Sequence, residues 1–131
     1  MRTVLLDTNV VSFILKGGPG MDLYTPHLRG CKLALSFMMV AELFQWVEVR
    51  KWGSRRTARL RKALEQFIIF PADIESCSHW GTIRAKCHVI GRPISPQDAW
   101  IAATARRFKL PLATHNPVDF EFVEDLEIIT A

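Results

Sequence analysis

The chain has 131 residues, 49% apolar and 23% charged, with a formal net charge of +4. This is the composition of one folded domain with a sizeable core, and it excludes low-complexity, repeat and disordered classes. Three cysteines and a start whose apolar run is broken at Asp7 argue against a signal peptide and a disulfide framework, and no apolar run is long enough to span a membrane. The expectation is a soluble, cytoplasmic domain over residues 1–131 with reduced thiols.

In chain order, Thr3 to Leu6 reads as a strand that stops at Asp7, and Val10 to Leu15 as a short helix ended by Gly17, Gly18 and Pro19. Met21 to Leu28 is helix or loop, and Lys32 to Ser36 is a second strand. Phe37 to Trp52 reads as a long helix closed by Gly53. Ser54 is placed to cap a further helix, Arg55 to Phe67, whose apolar side carries Leu60, Ala63, Leu64 and Phe67.

Ile68 to Phe70 is a strand before Pro71, and Asp73 to Ile90 is helical up to Gly91 and Pro93. Ser95 opens a helix that runs to about Phe108. Leu110 to Thr114 and Leu126 to Ile129 are the last strands. Strands alternating with helices predict an α/β fold with a central, mainly parallel sheet of four to five strands, and a ligand site at their carboxyl ends.

A zinc site at Cys77, His79, Cys87 and His88 is ruled out by reach. In one helix Cys77 and His88 stand about 16 Å apart along the axis, too far for one tetrahedral ion.

Four carboxylates stand beside runs that should enter the core: Asp7, Glu42, Asp98 and Asp119. Charges so placed are costly unless paired, and the sequence has no matching set of apolar-flanked lysines or arginines. Converging oxygens would suit a hard divalent cation. Asp7, directly after the first strand, is either a helix cap or a ligand. Glu42 shares its helical face with Met38, Met39, Gln45, Trp46 and Val49, where an ionised carboxylate needs a cation, whether a metal or an arginine from elsewhere.

Ser95-Pro96-Gln97-Asp98 resembles a capping box with proline at the first helical position, so Asp98 suits both capping and ligation. Asp119, beyond the His115-Asn116-Pro117 loop, ligates directly, acts through water, or forms an Asx turn. The basic excess is local: Arg50, Lys51, Arg55, Arg56, Arg59, Arg61 and Lys62 lie close to Trp46 and Trp52. That run is either a solvated helical face or a path for a polyanion.

Together these fragments resemble the PIN-domain ribonucleases, most closely the VapC-like toxins of type II toxin–antitoxin pairs. The resemblance covers nearly the whole chain. It rests on Leu6-Asp7-Thr8-Asn9, Ala41-Glu42-Leu43, Pro96 to Ala103, Thr114-His115-Asn116 and Asp119-Phe120, in that order.

The resemblance implies a compact parallel sheet flanked by helices, a Mg²⁺ or Mn²⁺ site, and RNA as substrate. Asp7, Glu42 and Asp98 match the core acidic ligands, with Asp119 as a fourth catalytic member. Thr8 and Asn9 match positions that support the first aspartate, and Thr114 and Asn116 are assigned the same supporting role. The family often has an acid where Asn116 stands, which bears on whether a second metal is held.

The resemblance also implies a separate antitoxin chain and a homodimer. In such a nuclease Arg50, Lys51, Arg55, Arg56 and Arg59 would bind RNA, with Arg84, Lys86, Arg92, Arg106 and Arg107 as secondary contacts. Of the tryptophans, Trp52 is expected to be the more exposed and Trp100 to lie partly in the core. His115 reads as a solvated loop residue. Two competing readings are a catalytically silent RNA-binding domain and a haloacid-dehalogenase-like phosphatase, although the latter needs an aspartate where Asn9 stands.

Overall fold

In the computed structural model, which describes residues 1–131, five strands form one parallel sheet. The strands are β1 (Thr3–Leu6), β2 (Lys32–Ser36), β3 (Ile68–Phe70), β4 (Leu112–Ala113) and β5 (Ile128–Ile129), in the spatial order β3-β2-β1-β4-β5. All four pairings are parallel, and Leu5 sits beside both Ala34 of β2 and Leu112 of β4. The chain therefore leaves β1 toward one edge and later returns on its other side. The crevice so made is where open α/β sheets gather ligands.

Six helices flank the sheet: α1 (Thr8–Lys16), α2 (Pro19–Leu28), α3 (Phe37–Val49), α4 (Ser54–Leu64), α5 (Ile74–Val89) and α6 (Pro96–Phe108). Alternation along the strands divides the core in two. Val4, Leu6 and Leu35 pack with Val10, Tyr24, Met39, Leu43 and Leu60 from α1 to α4. Leu5, Ala34 and Leu112 face the other way, against Ile83 and Cys87 of α5 and the alanine-rich α6. Small side chains at Ala99, Ala102 and Ala105 let α6 approach the sheet closely, so its first turn reaches the strand ends.

Several boundaries differ from the sequence reading, each for a local reason. The third helix ends at Val49 rather than Trp52, because Lys51 adopts a left-handed φ of 52° and the Trp52 amide turns back to donate to the Val47 carbonyl at 3.0 Å. Gly53, not Ser54, occupies the cap position of α4, without a side-chain cap bond; the Thr57 hydroxyl donates to the Gly53 carbonyl instead. That helix stops at Leu64, three residues short of Phe67. β4 and β5 are two residues each, shorter than expected. Between them Pro117–Phe120 forms a 3-10 turn that begins at the last residue of the expected His115-Asn116-Pro117 loop.

Candidate active site

β1 delivers Asp7 to the carboxyl edge of the sheet, and its extended backbone (φ −83°, ψ 169°) makes it the cap of α1. Capping and site membership are thus combined in one residue. One oxygen, Oδ1, accepts from the Thr8 amide at 2.8 Å, and Oδ2 accepts from the Thr114 hydroxyl at 2.7 Å. With only 5% of its surface exposed, Asp7 is held in one orientation from two sides. Thr114, fully buried at the end of β4, is itself fixed because its hydroxyl accepts the Asn116 amide at 3.0 Å. Asn116 therefore supports the site through its backbone, while its side chain faces solvent.

Glu42 is half-buried on α3, one and a half turns beyond the Ser36 cap, and accepts from the Thr8 hydroxyl at 3.2 Å. No arginine reaches it. Burial raises its pKa, the Thr8 bond opposes that shift, and the nearby Asp7 charge adds to it. Thr8 thus joins two acids, its amide to Asp7 and its hydroxyl to Glu42. Asn9 stands half-buried in the same first turn.

Asp98 lies in the first turn of α6, whose Ser95 cap accepts the Asp98 amide at 3.1 Å. The capping box proposed from sequence is realised on this side, with proline at the first helical position. The Asp98 carboxyl is pushed up to about 6, first by burial and then by the charges of Asp7, Asp119 and Glu42. Those couplings place all four acids in one electrostatic field. Asp119, in the 3-10 turn, is exposed and lines one cleft together with Asp98. Its turn is closed by the backbone, Asp119 amide to Asn116 carbonyl at 3.1 Å.

None of the ion pairs in the molecule involves these acids; they join Arg2 to Glu127, Lys86 to Glu124 and Arg107 to Asp73. Glu42 and Asp98, raised first by burial and then by neighbouring carboxylates, have no basic partner, an arrangement that favours a cation beside them. The donors are carboxylate and hydroxyl oxygens, the set that hard divalent ions take. As the side chains stand, no three acidic, histidine or cysteine residues are close enough together to hold one metal ion.

Sequence reasoning missed Tyr24. Fully buried on α2, it places its hydroxyl 2.8 Å from His115 Nδ1 and 3.2 Å from the Thr114 carbonyl. When it donates to the carbonyl it accepts from the imidazole N–H, so His115, although exposed, is tied to the segment that holds Asp7. Phe13 meets the same imidazole edge-on at 5.2 Å. The only signal in the sequence was that Tyr24 is the chain's single tyrosine.

Arg50, Lys51, Arg55, Arg56 and Arg59 are all exposed around the end of α3 and the start of α4. Arg50, Arg56 and Arg59 line a groove of about 540 Å³ with Trp46, Trp52 and Lys16. The Arg56 guanidinium lies 3.8 Å from the Trp52 ring centre and Arg50 lies 4.7 Å from that of Trp46. Trp52 and Trp100 are both half-buried, and Trp100 packs on the core beside α5 and α6, stacking on Trp80 at 5.1 Å.

Among the secondary cations, Arg107 is committed to a bidentate pair with Asp73, Lys86 to Glu124, and Arg84 to the Ile94 carbonyl. Of the two ion pairs the Arg107 one is the tighter; the Lys86–Glu124 contact, at 3.6 Å, leaves Lys86 largely in solvent. Arg92 has no carboxylate partner.

The family profile described as PIN domain matches residues 4–124. The tRNA(fMet)-specific endonuclease VapC of Shigella flexneri is 30% identical over 126 residues, covering 96% of each chain. Ribonuclease VapC2 of Haemophilus influenzae is 31% identical, covering 94% of this chain and 93% of that one. Among solved structures, VapBC-1 from nontypeable Haemophilus influenzae superposes with a TM-score of 0.85 at 25% identity, covering 98% of both chains. Fold and sequence agree, and the chain belongs to the PIN-domain family.

Proposed function

We propose that residues 1–131 act as one PIN-like unit, a divalent-metal-dependent endoribonuclease and the toxin of a toxin–antitoxin pair. The observation that carries this reading is the convergence of Asp7, Glu42, Asp98 and Asp119 at one sheet end with no cation to neutralise them. The names of the relatives, ribonucleases and a tRNA-specific endonuclease, supply the substrate class. Toxin–antitoxin complexes among the structural neighbours support a separate antitoxin chain.

Asp7, Glu42 and Asp98 would hold Mg²⁺ or Mn²⁺. When bound, such an ion supplies an activated water and neutralises charge growing on the scissile phosphate. The chain's own part is orientation. Thr8 and Thr114 fix both Asp7 oxygens, Thr8 also steadies Glu42, and the Ser95 cap anchors the turn that carries Asp98. Asp119, exposed at the mouth, accepts a hydrogen bond from a water at the cleft. Arg50, Lys51, Arg55, Arg56 and Arg59 hold RNA phosphates away from the reacting centre. The Glu42 and Arg50 backbones are separated by about 12 Å along α3. The protein works in the cytoplasm, as a homodimer, with an antitoxin that covers the acids until it is removed.

The deciding experiment is cleavage of total RNA by the purified chain with Mg²⁺, with Mn²⁺ and with a chelator, followed by mapping of the ends. Metal-dependent internal cuts that vanish in Asp98→Asn support the proposal. Cleavage that ignores the chelator, or survives in the variant, overturns it. Co-purification with the product of the adjacent reading frame tests the antitoxin, and sedimentation tests the dimer.

A further inference from the structure

A cleft of about 370 Å³ opens directly beside the acids, within the size range of small-molecule sites. Asp98 and Asp119 form one wall. The floor is apolar, from Cys87 and Ile94, which are 2% and 7% exposed. Arg92 and Phe122, both exposed, line the same cleft, with the guanidinium 5.5 Å from the ring centre. Phe122 leaves 44% of its surface in solvent, so part of its ring is open to a ligand.

These two residues are held in place by the backbone. Gly91 takes φ 73°, a turn that only glycine makes easily, and the Arg92 amide then donates to the Cys87 carbonyl at 2.9 Å before Pro93 stiffens the next step. Phe122 follows the 3-10 turn, where the Val123 amide bonds the Phe120 carbonyl at 3.0 Å. Arg92 and Asp98 flank one short loop, and Asp119 and Phe122 flank one turn. Their relative placement is therefore set by short, constrained segments.

We infer that this cleft is the subsite for the nucleotide next to the scissile phosphate, with Phe122 stacking its base and Arg92 holding its phosphate. The inference rests on the nuclease reading and deepens it. A phosphate chain entering an acidic centre meets repulsion on either side of the metal, and a cation one step away offsets it. Although two carboxylates line the same cleft, Arg92 makes no ion pair with them and lies over the ring, leaving its donors available to a ligand. An aromatic face lining the cleft suits an unstacked base of single-stranded RNA, whatever its identity.

The test uses a single-stranded RNA oligonucleotide cut at a mapped bond by the wild-type chain with Mg²⁺, and versions with one abasic nucleotide on either side of that bond. Phe122→Leu is expected to raise KM roughly tenfold while kcat changes little. One abasic position should cost the wild type the same factor and cost Phe122→Leu nothing further. Arg92→Gln should raise KM and reduce the salt slope of binding by about 0.7.

An unchanged KM in both variants, or losses from Phe122→Leu and the abasic site that multiply, overturns the subsite. Both side chains are exposed, and matching thermal melts exclude a folding defect. If the wild type cuts no RNA the nuclease reading fails. Fluorescence anisotropy with the same oligonucleotides then decides the subsite separately: weaker binding by both variants retains it, and equal binding removes it.

Discussion

The carboxylate cluster and the basic groove differ in how their charges are treated. At the sheet end Asp7 and Glu42 are buried or half-buried, bonded to an amide and to hydroxyls, and left without any cation. Along α3 and α4 the arginines are exposed and lie on aromatic rings, Arg56 on Trp52 and Arg50 on Trp46, without any anion. Elsewhere the fold pairs opposite charges readily, as in the bidentate Arg107–Asp73 contact. A chain able to neutralise its charges has left two opposite sets unneutralised. The first needs a small hard cation and the second a diffuse polyanion.

The largest test of that contrast is removal of one acid. Asp98→Asn should lower RNA cleavage by roughly 100-fold or more, the scale of losing a group that acts on transition-state charge, as read by initial rates at saturating Mg²⁺. A loss below tenfold would mean that the site works without Asp98. In the groove, Arg56→Ala with Arg59→Ala should flatten the slope of log affinity against log salt by roughly 1.4, about 0.7 for each single-strand phosphate that is no longer neutralised. An unchanged slope would move the RNA path off this face.

Stability should respond in the opposite sense to activity. The folded Asp98 carboxyl titrates at about 6, above its ordinary value of 3.8, so its ionisation works against folding. Its favourable contribution is complete below pH 3.8 and is lost as the pH rises through 6. Metal-free Asp98→Asn should therefore be more stable than wild type at pH 7.5, by on the order of 1 kcal/mol once partial exposure is allowed for. The gap should close near pH 4 in thermal melts. Millimolar Mg²⁺ should favour the wild type alone; equal shifts in both chains would separate Asp98 from the metal.

Asp7→Asn behaves differently, because both Asp7 oxygens accept from donors and an amide can match only one of them. It should lose activity without gaining stability. The smallest effect is expected at the ordinary ion pair. Arg107 holds the Asp73 carboxyl well below the usual carboxylate range, so the pair contributes above the normal aspartate pKa and fades as the pH falls toward the lowered one. Asp73→Asn should lower Tm modestly at pH 7, with a difference that narrows below about pH 4. It should leave RNA cleavage unchanged.

Much of this was legible in the sequence because the signals are local. Apolar runs ending at Asp7 and Ser36 marked the strands, and Ser95 before Pro96 marked a helix start that the structure keeps. The resemblance ordered the acids along the chain, but their convergence depended on how the sheet closes. What escaped was set by contacts distant in sequence or by unusual backbone. Lys51 takes a left-handed turn that no lysine announces, so α3 ends early. Arg107 is drawn to Asp73 across 34 positions, which removes a cation that looked free. Tyr24 reaches Thr114 and His115 across 90 and 91 positions, a link that composition and spacing do not carry.

The strand order has a consequence for synthesis. β1 lies at the centre, and its second neighbour, β4, arrives only at Leu112. Until then Asp7 lacks the Thr114 hydroxyl, and Asp119 follows later still. A chain emerging from the ribosome would hold three acids with their orienting wall missing, so the cutting edge is completed only when nearly all of these residues have been made. Asp7, made among the first residues, thus takes up its two-sided hold only after Thr114 has been added.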